Sequence, residues 1–192
     1  NPHKPMTVNA LLHWTPPSNE PVRPYRPHDP ETAALKSAYQ KVMAETIEIP
    51  TIVNGKAHFT GNIFEIRSPH RHGTVLAKLH QATPELVQQA IDGSLEAWRK
   101  WAHTAPHDRL VVFLRAAEMI AGPYRDRMNA STMAGQSKTC HQAEIESACE
   151  LIDFLRLGVH FVLHDIYPNQ PYSPQGVWNQ LDWRPLEGFV LG

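Results

Sequence analysis

The chain has 192 residues, 42% of them hydrophobic and 19% charged, with a formal net charge of -1. That length can bury a proper core, the near-neutral balance gives nucleic acid or anionic lipid no global attraction, and apolar runs such as Leu110 to Leu114 fall far short of the ~20 residues that cross a bilayer. Two cysteines make neither a disulfide framework nor a four-ligand zinc set, and they fit a reducing compartment.

The chain opens on Asn1 rather than Met, which fits removal of an import or secretion signal as well as a sequence that starts late. Residues 1–30 hold eight of the seventeen prolines. Proline removes amide donors and biases its predecessor away from helix, so this segment is expected to be an extended arm lying on something else. Residues 31–192 form the body. Pro30 suits the first turn of a helix whose apolar positions are Leu35, Tyr39, Val42 and Met43. Two short strand-like runs then flank Asn54-Gly55, a pair that accepts positive φ and predicts a tight hairpin. A further strand to Arg67, a turn holding His70 and His72, and a strand from Thr74 to His80 follow. Both histidines read as exposed turn residues.

Three helices come next. Thr83 caps the first, Pro84 takes its first position, and Glu85 complements the positive end of the dipole. Its apolar stripe is Val87, Ala90, Ile91, Leu95, Trp98 and Trp101. The second runs from about Pro106 to Gly122-Pro123 and carries Leu110, Phe113, Leu114, Ala117, Ile120 and Ala121. The third ends near Gly135. A longer helix is expected over about 140–163, with Ile145, Ala148, Cys149, Ile152 and Leu155 inward and Glu144 on its exposed side. "VWNQLDW" alternates like a strand, and Phe189 to Leu191 read as the start of a buried strand, as if the sequence stopped inside a fold.

Candidate chemistry concentrates in "MAGQSKTCHQAEIESACELIDF". "AGQSKT" lacks the upstream glycine and the Gly before Lys138 that a phosphate loop requires. Cys140 would need a base or helix terminus to lower its pKa before it could act as a nucleophile, and an ordinary helix break explains its surroundings as well. Cys149 lies on the apolar stripe as a small core residue. His160 and His164 have the i, i+4 spacing of zinc proteases without the intervening Glu or a third ligand, so no metal site is assigned. Glu150 and Phe154, one turn apart, suit a pocket for a small zwitterion, with the carboxylate accepting from an ammonium group; a surface ion pair at Glu150 is the bland alternative.

Taken together, the hairpin "IPTIVNGKAHFTG", the strands "FEIRSPHRHGTVLAKLHQA", the helices "TPELVQQAIDGSLEAWRKWA" and "DRLVVFLRAAEMIAGP", and "AGQSKTCHQAEIESACELIDFLR" resemble, in order, the N-terminal region of the aldehyde dehydrogenase superfamily. "NEPVRPY" and "RPLEGFV" narrow the resemblance to its Δ1-pyrroline-5-carboxylate (L-glutamate γ-semialdehyde) dehydrogenase branch, over about 19–192. The resemblance implies the first part of an α/β aldehyde dehydrogenase fold: hairpin and strands, several helices, then a strand of the oligomerisation flap. It also implies a homo-oligomer in the mitochondrial matrix, or in the cytoplasm of a bacterium, with a small-molecule substrate, no nucleic acid and no membrane insertion. The implied chemistry is thiolate attack on the semialdehyde, hydride transfer to NAD and thioester hydrolysis. The nucleophilic cysteine, general base, oxyanion asparagine and NAD contacts match no residue here, so catalytic and cofactor-binding residues are expected outside this stretch, and the stretch alone is expected to be inactive. Glu150 aligns with a substrate-lining glutamate, with Phe154 nearby. A non-catalytic structural or assembly subunit derived from such an enzyme is the alternative, and another aldehyde substrate is a weaker one.

Overall fold

A computed structural model describes residues 15–191. Residues 15–29 are extended without regular pairing and lead into α1, Pro30–Ala44, where Pro30 sits in the first turn. β1 (Ile47–Ile49), β2 (Thr51–Val53), β3 (Lys56–His58), β4 (Ile63–Ser68) and β5 (Arg71–His80) follow. β2 and β3 pair antiparallel around Asn54 and Gly55, whose φ values of 51° and 74° are what the hairpin turn demands. The tip of that hairpin rests on Gly93, where a Cβ would overlap the Asn54 side-chain amide. β5 is the centre of a three-stranded sheet, parallel to β1 and antiparallel to β4, with irregular register beyond Ile66. The predicted turn between β4 and β5 is tighter than expected, since β5 already begins at Arg71.

The helical layer consists of α2 (Pro84–Trp101), α3 (Pro106–Ala121), α4 (Arg125–Gln136) and one continuous rod from Cys140 to Ile166. Thr83 caps α2 by accepting from the Leu86 amide. The rod comprises α5 (Cys140–Ala143), a π-helical segment (Glu144–Cys149), α6 (Glu150–Phe161) and a second π-helical segment (Val162–Ile166). A small apolar centre of Ala117, Ala148 and Ile152, flanked by Ile120, Ala121 and Leu155, joins α3 to this rod. Small residues at the crossing let the two backbones approach closely.

Four expectations are corrected. The apolar stripe of α2 does not face a core: Val87, Ile91, Leu95 and Trp101 are exposed and only Leu86 is buried, because α2 packs chiefly on the small β2 hairpin. Glu144, assigned to the exposed side of the rod, is fully buried. "VWNQLDW" forms no strand, since alternation without a neighbouring edge leaves its amides and carbonyls unpaired in a ladder, and Phe189, Val190 and Leu191 are likewise exposed and irregular. The first half of the predicted arm, residues 1–14, lies outside the described residues.

Candidate functional site

The site is built on the rod, and the way the rod is held explains which side chains face outward. Residues 19–25 run across α4 and the rod as a strap. The Asn19 side chain and the Glu20 amide donate to Asp153, each at 2.7 Å. The Arg23 amide donates to Glu144 Oε1 at 2.8 Å and the Tyr25 hydroxyl to Glu144 Oε2 at 3.0 Å. The Asn129 side chain donates to the same carboxylate at 2.7 Å, and Arg125 grips both its oxygens, at 2.5 and 3.3 Å. Arg125 also reaches Glu20 and the Pro21 carbonyl, and Arg156 joins Glu20 to Glu118.

Every oxygen of Glu144 is therefore committed, which is what allows a carboxylate to be buried. Burial pushes its pKa up, but the hydrogen bonds from Arg125, the Arg23 amide and Asn129 outweigh that and hold it below the usual carboxylate range. The same charge works against its neighbours. Burial first, then the Glu144 charge, push the Tyr25 hydroxyl up to about 12 and the Cys149 thiol up to about 11. Cys149 is buried as expected, yet its surroundings are polar: its sulfur lies 3.3 Å from Arg125 Nη2. A thiol so raised is protonated at neutral pH and is a poor nucleophile. Cys140 is half-buried and lines a separate groove of about 410 Å³ between the strap and α1, beside Tyr25, Leu35 and Tyr39.

Glu150 and Phe154, the two residues singled out in the sequence, lie together. Both line an open groove of about 510 Å³ between α4 and the rod, along with Thr132, Lys138, Glu146 and Ser147. Their spacing accounts for this: Glu146, Glu150 and Phe154 follow one another at four-residue intervals and so share one face of the rod, while Glu144, Ala148, Cys149 and Ile152 are buried. The rod is wider at this point, with the Glu150 amide bonded to the Ile145 carbonyl five residues back. Thr132 and Ser147 bond each other at 2.8 Å across the floor. Lys138 pairs with Glu146. Among the described residues the Glu150 carboxylate has no hydrogen-bond or ion-pair partner, and Phe154 is 75% exposed. The groove thus offers one uncommitted acid, one aromatic face and a neutralised acid–base pair, a set that suits a small ligand carrying an ammonium group.

His160 and His164 stack with ring centroids 4.5 Å apart, and among the described residues no third His, Cys, Asp or Glu joins them. The buried network of Arg125 and Asn129, and the pairing of Lys138 with Glu146, are not legible in the sequence. The only sequence signal for Arg125 and Asn129 was their i, i+4 spacing on a mostly polar helix, which does not tell a buried network from a solvated face.

The model of the aldehyde dehydrogenase family matches residues 57–192 of the chain. A delta-1-pyrroline-5-carboxylate dehydrogenase of Agaricus bisporus is 43% identical over 184 residues, covering 95% of this chain and 34% of that protein. The mitochondrial delta-1-pyrroline-5-carboxylate dehydrogenase of Bos taurus is 38% identical over 173 residues, covering 90% and 31%. Among solved structures, the Mycobacterium tuberculosis delta-pyrroline-5-carboxylate dehydrogenase bound with NAD is similar with a TM-score of 0.87 at 39% identity, over 95% of this chain and 34% of that one. The chain spans about a third of the length of the curated relatives it matches.

Proposed function

Since the chain belongs to the aldehyde dehydrogenase family, we propose that it works as the N-terminal portion of an NAD-dependent dehydrogenase that oxidises L-glutamate γ-semialdehyde, the open form of Δ1-pyrroline-5-carboxylate, to L-glutamate in the last step of proline breakdown. The observation that carries this reading is the likeness to Δ1-pyrroline-5-carboxylate dehydrogenases at 43% identity along 95% of the chain. The division into an arm, residues 1–30, and a body, residues 31–192, belongs to the same proposal, as do a homo-oligomeric state and a mitochondrial matrix location, the latter supported by names among the relatives.

NAD is the hydride acceptor in this reaction. The described residues do not fit it: the connection from β5 to α2, Gln81-Ala82-Thr83, contains no glycine, and Gly135 lies within α4 rather than between a strand and a helix. The cofactor contacts, the nucleophilic cysteine, the general base and the oxyanion amide are assigned to length outside this chain. Neither Cys140 nor Cys149 serves as nucleophile, and no step is derived through them.

What this chain contributes is one wall of the substrate pocket. Glu150 accepts from the α-ammonium of the semialdehyde, and Phe154 covers its methylene chain. An interaction of this kind, between a charged donor and a charged acceptor, contributes about 1.5–3 kcal/mol. In the complete dehydrogenase, Glu150→Ala should therefore raise KM for the semialdehyde by ~10-fold or more, with a much smaller change for propanal, which has no ammonium. Equal changes for both aldehydes would remove Glu150 from the pocket. Failure of the complete protein to form NADH from the semialdehyde would defeat the functional reading itself and favour the structural-subunit alternative.

A further inference from the structure

His70 lies outside the groove, in the turn between β4 and β5, yet it is tied to the groove wall. Its Nδ1 is 2.8 Å from Ser137 Oγ, with Ser68 Oγ farther off at 3.4 Å, and its Nε2 is 3.1 Å from the Tyr39 hydroxyl. With the Tyr39 O–H donating to Nε2, Nδ1–H is left to donate to Ser137. One imidazole thereby joins the sheet, α1 and the C-terminal end of α4.

Ser137 holds a left-handed conformation, φ 57° and ψ 28°, as the residue that ends α4. Helix ends usually place glycine or asparagine there, because a Cβ is strained at positive φ. A serine tolerated in that position has its hydroxyl in use, and the partner is His70. On the other side, Thr139 closes a capping box with Gln142. Lys138 is thus presented between two fixed residues, and its ammonium lies on Glu146. Glu146 and Glu150 are four residues apart on the same groove face. Were Glu146 free, the two acids would repel each other and compete for one cation; with Lys138 on Glu146, only Glu150 remains uncommitted.

We propose that His70 is a positioning residue for this groove: through Ser137 it holds Lys138 on Glu146 and so keeps Glu150 as the single free acid for the substrate ammonium. This rests on the function proposed above. The test uses the complete dehydrogenase, with KM and kcat measured for the semialdehyde and for propanal. His70→Ala should raise KM for the semialdehyde about 3- to 10-fold, the range set by partial loss of one charged contact, with kcat and the propanal parameters little changed. His70→Asn, whose amide N–H can replace the Nδ1 donor, should restore most of the loss. His70→Gln, which reaches only toward Tyr39, should not. Ser137→Gly relieves the strained backbone while deleting the hydroxyl, so it should melt at the same or a higher temperature than the parent yet show the KM defect of His70→Ala. If Ser137→Gly and His70→Ala leave KM unchanged while Glu150→Ala raises it, the positioning role is overturned and the pocket stands. If Glu150→Ala is also silent, both fall together. If His70→Gln rescues as well as His70→Asn, the link through Ser137 is wrong.

Discussion

Glu144 shows how a charged residue becomes interior. It has no exposed surface, and it is kept ionised by Arg125, Asn129, Tyr25 and one strap amide. Removing one member of such a network leaves the others buried and unpaired, which is far more costly than never having built it. Glu144→Ala should accordingly lose about 3–5 kcal/mol of stability, read as a fall in the urea midpoint with circular dichroism. A loss under ~1 kcal/mol, the range of an exposed pair, would mean that the strap is already loose in solution. Arg156, which bridges Glu20 and an exposed Glu118, is a milder case, since water can replace part of what it provides.

At the level of elements, the rod from Cys140 to Ile166 depends on where it starts and where it widens. Its start is a reciprocal capping box, with the Thr139 hydroxyl accepting from the Gln142 amide and the Gln142 side chain accepting from the Thr139 amide. Thr139→Ala should cost about 1 kcal/mol, and Thr139→Ser should recover nearly all of it, in the same urea titration. A null effect of the alanine would show that packing on α4 alone sets the start of the rod. The widening at 144–149 inserts one residue relative to a regular helix and so rotates everything beyond it by about 100°. Six residues of helix in any case set Glu144 and Glu150 roughly 120° or more apart around the rod, so the buried Glu144 and the exposed Glu150, two carboxylates of like chemistry, meet opposite fates.

For the molecule as a whole, charges carried by the strap clamp helices more than a hundred residues away in sequence, so acid should act on the tertiary structure at once. Burial opposes ionisation of Glu20 and of Glu144, but hydrogen bonds and charge from Arg125, joined by Arg156 at Glu20 and by the Arg23 amide and Asn129 at Glu144, hold both carboxyls below the usual carboxylate range. A carboxylate lowered on folding adds stability that is fully present above its unfolded pKa and is lost as pH falls through its folded one. Stability should therefore be level between about pH 5 and 7, decline as pH falls below the ordinary carboxylate range, and decline less steeply in Glu144→Gln. Urea midpoints measured between pH 3 and 7 would check this; an equal slope in the variant would locate the acid sensitivity elsewhere.

What the sequence determined by itself was local: the Asn54-Gly55 hairpin, the Thr83-Pro84 helix start, the Pro106 start, the break at Gly122-Pro123, and the adjacency of Glu150 and Phe154. Each follows from the conformational limits of a few neighbouring residues, and the family likeness followed from their order. Only the tertiary structure decided that Glu144 is interior, that the stripe of α2 is not, that "VWNQLDW" joins no sheet among the described residues, and that His70 reaches Ser137. Those outcomes depend on which distant surface arrives to supply hydrogen bonds or apolar cover. Periodicity along one segment carries no information about that.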